Sequence, residues 1–151
     1  MENKIIFLLE KVDNIEDEEL SSHLLNYICV LISGYLEKNM GIIIDDYKRT
    51  SHCLSHECKD TLKSMRKIQN AKWCSIRPIL MNIDENILEL LKAEVHTEFD
   101  NLIASIDNIV KTRHKIAHGE NVTSLTTRIL NRDFENIKKF IEKIKEIFSC
   151  L

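Results

Sequence analysis

Three glycines and one proline, Pro78, are all the turn-formers of this kind in 151 residues, too few to punctuate a chain of many hairpins. An all-α fold is the class that remains. The same scarcity of glycine rules out a dinucleotide fingerprint and a P-loop, because both need glycines where the backbone closes on phosphate. Carboxylates grouped for a two-metal nuclease are missing too: Asp45-Asp46 and Asp84-Glu85 stand without accompanying ligands. Cysteines number five, an odd count, and no charged-then-apolar leader opens the chain, so a disulfide framework is not expected. The expected setting is cytoplasmic, with reduced thiols. Ile5-Ile6-Phe7-Leu8-Leu9 is far too short for a bilayer, and the stretch Leu24 to Leu36 is broken by Asn26, Ser33 and Gly34, so no membrane segment is expected.

What is present is a hydrophobic share of 44% beside 30% charged residues. A chain of this length buries roughly two-thirds of its extended surface, enough for one core, and no linker composition or repeat divides it. One domain over residues 1–151 is the expectation. Net charge is −3, which as a whole argues against a general nucleic-acid glue, but the charges are segregated. Residues 48–77 hold eight basic side chains against two acidic, and 113–151 eight against five. Two readings stay open: the cations form one phosphate-facing surface, or they solvate exposed helix faces.

Apolar spacing of three and four places helices along most of the chain. A short one covers Asn3 to about Val12. A long one follows from Leu20 to Tyr47, begun by Asn14 or Asp17 as cap, with Gly34 and Gly41 as places for a close helix or a bend. A basic helix is expected from about Glu57 to Gln69, then a short one from Asn70, read as its N-cap, through Leu80. Asp84 reads as the cap of the next segment. A second long helix runs from about Thr97 to His118, with Gly119 placed for a left-handed C-terminal cap, and a last one from about Thr126 to Ser149. The architecture expected is a helical bundle of two long core helices, a long C-terminal helix and shorter connecting ones.

Most of the chemistry lies in Lys111-Thr112-Arg113-His114-Lys115-Ile116-Ala117-His118-Gly119. Arginine is a permanent cation that forks onto phosphate, and histidine changes charge near neutral pH, so together they bind and cleave a phosphodiester without metal. A base takes the proton of a ribose 2′-hydroxyl, the oxygen attacks phosphorus, and an acid protonates the departing 5′-oxygen. DNA lacks the attacking group. Arg113 suits binding the phosphate. His118, where the helix dipole turns negative, suits the general acid or stabilising the phosphorane. His114 is a second catalytic group, a phosphate donor or a residue that orients Arg113. At 100° per residue, His114 lies about 100° and His118 about 140° around from Arg113, so one helix spreads them. A second copy across a two-fold axis is the natural way to surround one phosphate. The bland alternative is cation enrichment in a helix's last turn, where positive charge meets exposed carbonyls.

Arg113-x4-His118 in its Arg-His-Lys-Ile-Ala-His-Gly context resembles the signature of the HEPN superfamily, and Tyr27 to Glu37, Asn70-Ala71 and the Ile106 to Gly119 helix resemble its RiboL-PSP-HEPN branch. The resemblance implies a HEPN-like helical bundle and a metal-independent endoribonuclease acting on RNA. It implies a homodimer in which Arg113 and His118 of each subunit meet their symmetry mates, with His114 carried over beside them as a site residue. It also implies a toxin-antitoxin, phage-defence or RNA-processing setting, with an antitoxin or operon protein as a partner. The alternative within the same family is a non-catalytic module that binds RNA, a nucleotide or a protein. No cofactor and no metal is called for.

Weaker constellations point to structure. His52-Cys53-x-x-His56-x-Cys58 has ligand types suited to zinc but matches no established spacing, and its adjacent ligands strain chelation. Glu37 reads as an exposed carboxylate beside Lys38 rather than a buried partner for the site cation. Asn70 reads as a cap and Trp73 as core rather than a base-stacking platform. His23 and His96 carry no signal.

Overall fold

The computed structural model describes residues 1–50, 70–120, 122 and 124–150, with Lys48 and Thr50 as backbone only. Among these there is no strand, and the fold is all-α as expected. The expected basic helix, the His52 to Cys58 constellation and Lys59, Lys63, Arg66 and Lys67 lie outside the described residues.

Helix α1 is Glu2–Val12, α2 Glu18–Thr50, α3 Trp73–Ile83, α4 Ile87–Val95, α5 Phe99–Ala117 and α6 Thr127–Cys150. Asp17 starts α2, its Oδ1 accepting from the backbone N–H groups of Glu19 and Leu20 at 3.0 Å each. The helix then runs through Gly34 and Gly41 as one 33-residue element. Apart from their own stretch of α2, no atom of the described residues lies within 4 Å of a Cβ built on either glycine, so no described helix packs on them.

Two expected caps are corrected. Lys72, not Asn70, is the N-cap of α3, and it supplies no side-chain bond. Asp107 of α5 does so from a distance, its Oδ1 accepting from the Trp73 backbone N–H at 2.8 Å. Asp84 sits before α4 in a local turn, its Oδ1 accepting from Asn86 N–H at 2.7 Å, and Asn86 is the N-cap. The expected second long helix is preceded by a 3₁₀ turn, His96–Glu98. His96 there takes φ 48° and ψ −121°, a region that disfavours any residue with a Cβ.

The helices pack by their apolar faces. Ile28, Ile32, Leu36 and Met40 of α2 meet Leu102, Ile106 and Ile109 of α5 and Phe134, Ile137, Ile141 and Ile144 of α6 in one core cluster, under α1, α3 and α4. Burying a side chain of this kind is worth about 1.5–3 kcal/mol, so packing rather than helix propensity carries the bundle. Helix α2 is long and apolar enough by composition to cross a membrane. One face of it, with Ile28, Ile32, Leu36 and Met40, is buried in this core, while Val30 and Ile42 are exposed.

Direction follows from the pairings. Glu2 accepts from the Tyr35 hydroxyl and Lys4 donates to Tyr27, so α1 runs antiparallel to α2. Tyr35 stacks edge-on to Phe134 and Tyr47 to Phe148, so α6 runs with α2. Ser105 bonds Asp133 while Glu98 bonds Lys139, so α5 runs against α6 and therefore against α2. Trp73 is core, as expected, edge-on to Phe99 and Phe140.

Candidate functional site

The C-terminal turn of α5 is built by its backbone. Gly119 has φ +71°, its N–H donates to Ile116 O at 3.1 Å, and the Glu120 N–H donates to Lys115 O at 3.0 Å. That pair of bonds is the Schellman arrangement, and it needs a residue without Cβ at Gly119. His118 is the C-cap, held by its own N–H on His114 O at 3.1 Å. The sequence expectation for Gly119 is met.

Four residues apart on one helix, His114 and His118 are neighbours. Their ring centroids lie 4.3 Å apart with planes at 64°, and both side chains are exposed. The structure therefore joins the two histidines. It does not join Arg113 to them within one chain: among the described residues Arg113 makes no hydrogen bond or ring contact with either. Its Nη1 donates instead to Asn70 Oδ1 at 3.2 Å, on the other side of the helix. This is the angular spread the helix geometry foretells.

Sequence reasoning assigned no site role to two residues that act on Arg113. Asn70 is a guanidinium ligand rather than a cap. Glu37 is half-buried rather than exposed, and burial pushes its carboxyl above the ordinary carboxylate range while the charge of Arg113 pulls it partly back. Its Oε1 is buried without a hydrogen-bond partner among the described residues. Side chains lean toward the N-terminus of their own helix, so on antiparallel α2 and α5 Glu37 and Arg113 lean toward each other. Asn26 Oδ1 and Ser33 Oγ are likewise buried and unpartnered. At 100° per residue Asn26, Ser33 and Glu37 fall within about 40° of one another, a polar edge along α2.

Elsewhere the buried polar chemistry is structural. Cys29 donates its thiol to Ile109 O at 3.7 Å and is pushed up to about 12, by burial first and by Asp133 second, so it is no nucleophile. No cluster of three or more metal-ligating side chains exists among the described residues. His23 and His96 are exposed and stand apart from the site.

What the arrangement offers is an anchored guanidinium on one side of a helix end and two touching imidazoles on the other. The RiboL-PSP-HEPN family model matches residues 2–149. No curated protein and no solved structure matches the chain.

Proposed function

The chain belongs to the RiboL-PSP-HEPN family, and from that premise we propose that it is a metal-independent endoribonuclease whose cleavage site is completed by a second copy of the chain. HEPN domains are generally ribonucleases or nucleotide-related. The reaction is attack of a ribose 2′-oxygen on the adjacent phosphorus. Arg113 binds the phosphate, His118 acts as general acid or phosphorane stabiliser, and His114 beside it supplies the second imidazole. Asn70 and Glu37 position Arg113. A toxin-antitoxin, phage-defence or RNA-processing setting in the cytoplasm fits such an activity.

The observation that carries this is the edge-on His114–His118 pair at 4.3 Å, aimed outward at a helix end built to hold it. The hydrogen bond that turns Arg113 to Asn70, away from that pair, supports a site completed by a second copy across a two-fold axis. A seam for the second copy runs along α2. Leu20, Tyr27, Gly34 and Gly41 recur every seven residues, with Val30 beside them, and Leu20, Tyr27 and Val30 are exposed. With no described helix packed on the two glycines, another α2 can approach closely there.

Cleavage of a structured RNA in EDTA tests the activity. Wild-type protein is expected to cut under chelation, and His118→Ala to lose about 10²–10⁴-fold in rate with an unchanged melting temperature. Arg113→Ala is expected to lose a comparable amount. Equal products from wild type and His118→Ala would mark a contaminating nuclease and leave the family's non-catalytic binding role in its place.

A further inference from the structure

His114 and His118 stand one turn apart at the end of α5, both exposed, with ring centroids 4.3 Å apart. Neutral imidazole is a ligand that Cu²⁺, Ni²⁺ and Zn²⁺ accept, and two histidines four residues apart on one helix face can grip a single ion. Nitrogen-to-metal bonds of about 2.1 Å put two ring centroids roughly 4.5 Å apart when the ligands meet the ion at a right angle, and roughly 5.2 Å apart at the tetrahedral angle. The observed 4.3 Å is close to the first.

Little holds the rings as they stand. Among the described residues neither imidazole makes a hydrogen bond or an ion pair, so each is free to turn about its Cβ–Cγ bond until one nitrogen of each meets the same ion. The main chain beneath them is fixed by contrast. The His118 N–H on His114 O at 3.1 Å and the bend at Gly119 hold the spacing of the two residues, so the second ligand arrives with less freedom left to lose. Charge agrees with this. Helix α5 ends at Ala117, and the negative end of a helix dipole attracts a cation. Lys111 and Lys115 of the same stretch oppose it, but both are exposed on flexible stems and their charges are screened by water and salt. No third histidine, cysteine or carboxylate joins the pair among the described residues, so water completes the shell and the ion stays exchangeable.

We infer that His114 and His118 form a bidentate site for one divalent transition-metal ion per chain, and that the ion, once bound, shuts the cleavage centre. A ring nitrogen whose lone pair is engaged by metal neither takes nor gives a proton, so a reaction that needs no metal becomes one that a metal stops. Hard ions do not act this way. Mg²⁺ and Ca²⁺ prefer oxygen ligands, and the pair offers only nitrogen. The blockade rests on the ribonuclease reading, and the chelation does not.

Titration of the whole chain with Ni²⁺, followed by calorimetry and by paramagnetic broadening of assigned histidine ring resonances, is the test. The rings of His114 and His118 are expected to broaden together as one ion fills the site. His114→Ala and His118→Ala are each expected to weaken that binding about tenfold or more, with melting temperature held, whereas His23→Ala and the double variant His52→Ala with His56→Ala leave it in place. With RNA present, Ni²⁺ is expected to stop cleavage over the concentration range that fills the site, EDTA to restore it, and Mg²⁺ to leave the rate unchanged. No binding, binding that survives both single variants, or binding removed only by the His52 and His56 substitutions overturns the site. Cleavage that persists with the site filled, or an equal loss with Mg²⁺, overturns the blockade. A chain that takes Ni²⁺ on the pair yet cuts no RNA in EDTA removes the ribonuclease reading and keeps the chelate.

Discussion

Glu37 is a carboxylate that folding makes harder to ionise. Below the ordinary glutamate range the folded and unfolded chains both hold the proton, and the residue contributes no pH dependence. Above the raised folded value the native chain carries a half-buried charge that the unfolded chain solvates freely. Its contribution to stability is therefore lost as pH climbs through the window between the two values. Glu37→Gln is expected to melt at a higher temperature than wild type at about pH 7.5, with the gap closing toward about pH 4. A lower melting temperature for the variant at neutral pH would mean that attraction to Arg113 outweighs desolvation. The roles of Glu37 and Asn70 were not legible locally, because each meets Arg113 across tens of residues of sequence. Arg113, His114 and His118 were legible as types at a spacing, and the divergence of Arg113 from the pair follows from helix geometry alone.

Among the elements, the junction of α4 and α5 carries the clearest local strain. His96 holds φ 48° and ψ −121°, where a Cβ meets backbone and glycine is at ease. His96→Gly is expected to stabilise the fold by about 1 kcal/mol, read as a higher denaturant midpoint with an unchanged slope. An unchanged or lower midpoint would show that the histidine side chain compensates for its own backbone. Helix existence was legible throughout the described residues, since the apolar period of each element matches the face it buries. Caps were less so. Asn70 and Asp84 have the right side chains for caps, but α3 takes its acceptor from Asp107 of another helix and Asp84 closes a turn one step early. Such choices are made by packing, which local sequence does not encode.

For the whole molecule the open question of assembly has a physical handle. The α2 seam combines exposed Leu20, Tyr27 and Val30 with two glycines, on a helix whose other face buries Cys29, Ile32, Leu36 and Met40. Tyr27→Glu together with Val30→Glu places charge in that seam without touching Arg113, His114 or His118. Wild type is expected to sediment as a dimer and the double variant as a monomer, with melting temperature nearly kept and RNA cleavage reduced about 100-fold or more. A dimer that survives the double substitution moves the interface elsewhere. The bundle of long and short helices was legible from periodicity. The polar network of Ser105, Asn108, Asp133 and Asn136 was not, because a carboxylate on an otherwise apolar helix face reads as solvent-exposed until its partners on α5 are seen.

The reversal at Gly119 does two jobs with one bend. It places His118 at the end of α5, and beyond it Val122, Ser124 and Leu125 come to line a cavity between α5 and α6. Because the bend is held by main-chain bonds, substitutions at Val122, Ser124 or Leu125 can reshape the cavity's mouth while the histidines stay in register. A change at those positions thus alters the cavity and leaves the main-chain bonds that place His114 and His118 untouched.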